Sequence, residues 1–266
     1  RYFLPSPKLV MGGRIKSVRC VNGKILLNDI AVDDLNNIIS DPIKLSQVFG
    51  WRYDETYNCR IKQGIRFRNM RESIIAIFEF GEYADINVKN KVVIDVGAFV
   101  GDSAIFFALN GAKMVIAIEP HPQAFLELCD NIKLNSLEKT IIPINAGLSS
   151  KPCLIDPGNI GIEVAYTTYF ECKDREGTVP VITLKELARD FHIDDSAILK
   201  MDCEGCEYDI ILKDYEHVRI FEEIIFEYHE YMTKISIKLL LNKLSKDFTC
   251  KIHKKDGFGL VKCTKK

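Results

Sequence analysis

No apolar run in this 266-residue chain approaches the roughly 18 residues that a membrane-spanning helix needs. The longest, Ile74 to Phe80, carries Glu79 inside it. The opening RYFLPSPKLVMGG lacks the uninterrupted apolar core of a secretory signal, so a cytoplasmic protein with no membrane partner is expected. An excess of one charge is also missing. With 36 basic and 37 acidic residues the formal net charge is -1, which sets up no global field for a polyanion, and nucleic acid is not expected as a partner. The lysines near the C-terminus (Lys251, Lys254, Lys255, Lys262, Lys265, Lys266) read as a solvated face. Nine cysteines are present, but in no repeating framework, and they read as reduced thiols. Cys203 and Cys206 have C-x-x-C spacing without a second such pair or a spaced histidine pair, so no metal site is expected.

What is present is the rhythm of an α/β protein. KVVID, MVIAIE, TIIPINA (Thr140 to Ala146), AILKMD (Ala197 to Asp202) and EIIFEY (Glu223 to Tyr228) are short, nearly continuous apolar runs. Such runs are too apolar for half-exposed strands and predict a parallel sheet covered on both faces. Between them lie helical segments: DSAIFFALNG, the stripe Phe125, Leu128, Cys129 and Ile132 after Pro122, and TLKELARDF, where Thr183 and Glu186 have capping-box spacing. Pro143 inside the third run predicts an outer strand. After the fifth run come a helical stripe (Ile237, Leu240, Leu241, Leu244) and an antiparallel hairpin, FTCKIH to LVKC.

The predicted domain covers residues 86–266, a Rossmann-like, mostly parallel sheet closed by that hairpin. Residues 1–85 lack the rhythm and read as an N-terminal α+β extension. It contains hairpins at VRCVNGKILL and CRIKQGIRFR and short helices at VDDLNNIIS and PIKLSQVFG. The stretch from Ser149 to Val181 is long for a plain connection and is expected to carry extra strands and substrate contacts.

The chemistry-bearing signal is Asp95-Val-Gly97-Ala98-Phe-Val-Gly101-Asp102, between a strand and a helix. Gly97 lets a ligand approach the backbone, and the helix start offers N–H groups to a carboxylate or phosphate. Phe99 stands where a dinucleotide fingerprint has its middle glycine, which disfavours NAD and FAD. A smaller amino-acid tail suits the turn better: its ammonium would pair near Asp95 and its carboxylate would meet the turn's backbone donors. Glu119, followed by Pro120 at the end of the second strand, can accept hydrogen bonds from ribose hydroxyls, and Asn145 and Ala146 can line an adenine. A second dense cluster, Lys200-Met-Asp202-Cys-Glu204-Gly-Cys-Glu207, ends the fourth strand, and Glu227 and His229 end the fifth.

The order DVGAFVGD, AIEPHPQAF, NIKLN, VITLKEL, LKMDCEGCEYDIL, IIFEYH resembles the FkbM-type methyltransferases from about Phe78 to Glu230. That resemblance implies a class I methyltransferase fold, S-adenosylmethionine as cofactor, and O-methylation of a hydroxyl on a small molecule or glycan. It assigns Asp95, Gly97 and Gly101 to the cofactor turn, with Ala98 and Asp102 inside the same motif, and Glu119 to the ribose. Asp202 and Glu204 would face the reacting groups, and Glu79 and Tyr83 in FEFGEYAD would close over the cofactor. The chain departs from the family pattern at Phe99, Cys203 and Cys206. An acceptor hydroxyl must lose a proton, and His229, Asp202 and Glu204 are the candidate bases, His229 having the most suitable ordinary pKa. Two alternatives stay open: N-methylation, although no D/N-P-P-Y block follows the fourth strand, and a non-catalytic nucleoside-binding scaffold of the same fold.

Overall fold

The computed structural model describes residues 15, 17–21, 24–32, 41–158, 160–162, 177–255 and 258–266. They fall into two compact units, one reaching to Asn87 with Lys133–Ser136 added, the other holding Val88–Ile132 and Leu137–Lys266.

Among the described residues the first unit holds two small antiparallel sheets and two helices. Strands β1 (Val18–Val21), β2 (Lys24–Leu27) and β3 (Ile30–Val32) form one meander, so the two strands expected here pair antiparallel with a third added, while the Asn-Gly turn itself lies outside the described residues. The helix expected at VDDLNNIIS lies outside the described residues. Helix α1 (Pro42–Val48) starts on Asp41, whose side chain accepts the Lys44 N–H. Strands β4 (Arg52–Asp54), β5 (Cys59–Lys62) and β6 (Ile65–Phe67) follow, then helix α2 (Glu72–Phe78). The sequence's single tryptophan, Trp51, is buried between Phe67 and Phe78, ring centroids 6.0 and 6.2 Å away, and anchors this core.

The second unit is a seven-stranded α/β sheet. Its elements in chain order are β7 (Val92–Val96), α3 (Asp102–Leu109), β8 (Met114–Ile118), α4 (Pro122–Leu134), β9 (Ile141–Ile144), β10 (Gly147–Leu148), β11 (Cys153–Ile155), β12 (Val179–Ile182), α5 (Leu184–Asp190), β13 (Ile198–Met201), α6 (Cys206–Lys213), β14 (Glu223–His229), α7 (Ile237–Leu244), β15 (Phe248–Lys255) and β16 (Phe258–Lys265). The spatial order is β15-β16-β14-β13-β7-β8-β9. From β9 to β14 the strands are parallel; β16 and β15 complete the sheet antiparallel. The protein is therefore a Rossmann-like α/β fold with a C-terminal antiparallel hairpin. Pro143 lies on the edge strand β9, where a missing donor leaves no ladder bond unmade on the outer side.

Strands β10, β11 and β12 form a separate small sheet, in which β11 and β12 are the extra strands expected in the stretch from Ser149. Both halves of the capping box are formed at α5, with Thr183 Oγ1 accepting the Glu186 N–H and Glu186 accepting the Thr183 N–H. The apolar runs are buried on both faces: Ile94, Ile116, Leu199 and Ile224 on one side and Val93, Val115, Ile198 and Ile225 on the other are wholly inaccessible.

This connectivity creates the site. The chain lays down β7 centrally, adds β8 and β9 on one side, and then crosses to place β13 and β14 on the other. Loops leaving β7 and β13 therefore diverge at their carboxyl ends and open a crevice, the usual ligand position in an open parallel sheet.

Candidate functional site

At that switch point the β7–α3 turn meets the end of β13 backbone to backbone. Gly97 has φ +74°, and a β-carbon on it would stand 1.9 Å from the Asp202 carbonyl oxygen. No other residue fits. The Asp202 N–H in turn donates to Val96 O at 2.9 Å. The turn's own donors are engaged internally: Gly97 and Ala98 both donate to Ile118 O, Phe99 to Glu119 Oε2, and Gly101 to Ala98 O. The expectation that a ligand carboxylate binds these N–H groups is therefore corrected, because the fold uses them to fasten the turn to β8. Gly101, at φ +87°, leads into α3, and a β-carbon there would come within 2.6 Å of Leu128 Cδ1. The Phe99 ring is buried beside Val100 and Ala124 instead of filling the crevice.

Asp95 also differs from its expected role. Its carboxylate is fully buried, accepts a hydrogen bond from Ser103 Oγ at 2.6 Å and pairs with Lys200 Nζ at 2.9 Å. Lys200 Nζ reaches on to Gly97 O at 3.0 Å. Burial works against the Lys200 charge, but Asp95 and Asp202 outweigh it and hold the ammonium well above its ordinary pKa. Fully buried and held by these two side chains, Asp95 positions the turn. Asp102, also buried, accepts the Ser103 N–H at the start of α3.

Glu119 faces the turn. Its two oxygens accept the N–H groups of Phe99 and His121, each at 2.8 Å, which leaves further lone pairs for hydroxyl donors. Burial pushes its carboxyl up to about 7, opposed by those two N–H groups and Lys200, with Asp95 adding a little. Asn145 Nδ2 donates to Glu119 O at 2.8 Å and Pro120 O at 3.2 Å, so it fixes this corner. Beside it opens a cavity of about 340 Å³ lined by Gly97, Ile118, Pro120, Ala146, Leu148 and Cys203, among others. Its size and mixed lining suit a nucleoside.

On the other side of Asp202 lies an acidic pocket around one histidine. His229 Nδ1 is 3.1 Å from Glu207 Oε1, and its Nε2 is 3.3 Å from Glu204 Oε2 and 3.8 Å from Glu227 Oε2. Burial alone would lower the His229 pKa; the hydrogen bond and charge of Glu207, with Glu204 and Asp202, push it up to about 10. Glu204 is pushed up to about 8, mainly by burial, with His229 opposing and Asp202 and Glu207 adding. The carboxylates around it thus favour the protonated form of the imidazole.

Cys203 and Cys206 bracket this pocket as a disulfide, and Cys250 pairs with Cys263, its register partner across the β15–β16 hairpin. Both bonds correct the expectation of reduced thiols: strand register and a tight turn bring sulfurs together that look scattered in sequence. Glu79 and Tyr83 belong to the first unit, where Glu79 accepts from Trp51 Nε1 (2.8 Å) and Lys62 Nζ (2.6 Å) and Tyr83 is buried. Lys200, Glu207 and Asn145's anchoring role were not assigned from sequence. A lysine inside the apolar run AILKMD is the signal that a buried counter-charge exists.

A switch-point crevice, a glycine turn fastened to the next strand and an acidic residue closing that strand define a class I methyltransferase domain. The methyltransferase FkbM domain family matches residues 95–248, more than half of the chain, and this chain belongs to that family. Its methyl donor is accordingly S-adenosylmethionine. Among curated proteins, the hexuronic acid methyltransferase AglP of Haloferax volcanii is 26% identical over 176 residues, 64% of this chain and 70% of the relative. A tRNA(Phe) (4-demethylwyosine(37)-C(7)) aminocarboxypropyltransferase of Methanocaldococcus jannaschii is 45% identical over 64 residues, 24% of this chain and 25% of the relative. Among solved structures, M. jannaschii TYW2 in complex with AdoMet overlays with a TM-score of 0.43 at 22% identity, covering 81% of this chain and 87% of that one.

Proposed function

We propose that this methyltransferase acts on a hydroxyl oxygen of a small molecule or glycan. The observation that carries the reading is the carboxylate group at the ends of β13 and β14, next to the Gly97 turn, which offers proton acceptors where an acceptor hydroxyl would lie. The similarity to a hexuronic acid methyltransferase supports a sugar-type acceptor.

S-adenosylmethionine supplies an electrophilic methyl group when bound. Glu119 is the residue suited to the ribose hydroxyls, and Ala146 and Pro120 to the adenine, with Asn145 holding their backbone. Gly97 lets the turn close against the Asp202 carbonyl, which fixes the turn beside the cavity where the cofactor would lie. Alignment of acceptor and donor is the main contribution of such a site. Asp202, Glu204 and His229 are the groups placed to take the hydroxyl proton.

The test is incubation with S-adenosylmethionine and a panel of hexuronates, neutral glycosides and tRNA. Transfer to a sugar hydroxyl is expected. Methylated tRNA, the acceptor class of a relative that shares a short segment, would replace this reading, and failure to bind S-adenosylhomocysteine would end it. Among the described residues no helix is long and apolar enough to cross a membrane. In the cytoplasm, the proposed location, both cysteine pairs would be kept reduced, so counting free thiols in protein taken directly from cells decides the compartment.

A further inference from the structure

The acidic pocket has a feature that a proton-accepting role does not need. Glu227 and His229 are two residues apart on β14 and share a face of the strand. Asp202 follows Met201, whose register partner is Phe226, so it falls level with Glu227. As a result one carboxylate oxygen each from Asp202 and Glu227 and one ring nitrogen of His229 lie within 4.8 Å of one another.

Two independent observations say what this trio is built for. First, the His229 side chain is almost entirely buried, and its Nδ1 is directed at Glu207, a carboxylate with no exposure that is itself held by the Gly205 N–H at 3.0 Å. A ring nitrogen anchored on a fixed carboxylate, with the other nitrogen turned toward two more carboxylates, is how ligating histidines are oriented. Second, Glu204, which is mostly buried and meets the Tyr231 hydroxyl, brings Oε2 to 3.3 Å from His229 Nε2 without a well-aligned hydrogen bond. A buried oxygen of this kind calls for a cation or a donor. Four carboxyl groups, Asp202, Glu204, Glu207 and Glu227, surround a single histidine here.

We propose that Asp202, Glu227 and His229 bind a divalent cation, with Glu204 beside it and Glu207 orienting the imidazole. Two carboxylate oxygens and one imidazole nitrogen favour a hard to borderline ion of the Mn2+ or Mg2+ class over a thiophilic one. The ion would leave coordination positions for acceptor hydroxyl oxygens and lower the cost of deprotonating one of them. This role rests on the proposed O-methylation, whereas the binding of the ion does not. The lone C-x-x-C, the obvious place to look for a metal in the sequence, is closed as a disulfide.

The experiment is titration of the purified chain with MnCl2, followed by calorimetry and by the electron paramagnetic resonance signal of free Mn2+, with S-adenosylhomocysteine titrated in parallel. One ion per chain is expected. Asp202→Asn and Glu227→Gln should each weaken it at least tenfold, and Glu207→Gln by about 10- to 100-fold through the imidazole. Glu227→Gln, at a half-buried position, guards against misfolding, and an unchanged urea midpoint confirms that each variant is intact. No saturable Mn2+ binding, or binding that these substitutions leave unchanged, overturns the proposal. S-adenosylhomocysteine binding without Mn2+ binding removes the ion and keeps the methyltransferase reading; Mn2+ binding without S-adenosylhomocysteine binding does the reverse.

Discussion

Lys200 and Asp95, register partners on adjacent parallel strands, form a 2.9 Å ion pair almost wholly out of solvent, and the same ammonium holds the carbonyl of Gly97. The glycine turn is thereby tied to the strand that leads into Asp202. Removing one partner leaves a buried charge uncompensated, which costs about 3–5 kcal/mol, whereas replacing both with apolar residues is far milder. Lys200→Met and Asp95→Leu singly should each lower the unfolding free energy by about that amount. The double variant should recover most of the loss, as read from urea denaturation.

Gly97→Ala tests the close approach at the switch point. The new β-carbon overlaps the Asp202 carbonyl, and φ +74° is disfavoured for alanine. Backbone atoms cannot yield as a flexible side chain does, so the turn must move off β13. S-adenosylhomocysteine binding measured by calorimetry should fall at least a hundredfold, and a normal affinity would show that the turn does not hold the cofactor.

Glu119 gives a pH signature of defined sign. Its folded pKa of about 7 stands above the ordinary value of 4.5, mainly through burial, so the native state holds the proton more tightly than the unfolded chain. Stability from this group is complete below pH 4.5 and declines as pH rises through 7, by roughly 3 kcal/mol in all. Glu119→Gln should flatten the pH dependence of the urea midpoint over this window. Ribose hydroxyls donate to the ionised carboxylate, so S-adenosylhomocysteine affinity should rise with pH up to about 7 and then level off.

The capping box is the simplest stability test. Thr183→Ala removes the acceptor for the Glu186 N–H and should cost about 1 kcal/mol, with no change in cofactor affinity. Thermal denaturation monitored by circular dichroism measures the first, calorimetry the second.

Strand positions, the capping box at Thr183 and the edge placement of β9 could be read from sequence because each follows from local pattern: apolar continuity, side-chain spacing, a proline's missing donor. The glycine turn and Glu119 were legible for a related reason, since a strand–turn–helix places its own loop at the sheet's carboxyl end. Asp95 shows where that ends. Its position was correct and its partner unknown, because Lys200 lies more than a hundred residues away and meets it only through parallel pairing of β7 and β13.

The sequence by itself determined the alternation of strands and helices, the family, and the residues that gather at the strand ends. Only the tertiary structure decided which of those residues remain available to a ligand. Sheet order puts Lys200 against Asp95 and surrounds His229 with Glu204, Glu207 and Glu227. A side chain's charge depends on burial and on neighbours brought in from distant segments, and no local pattern encodes those.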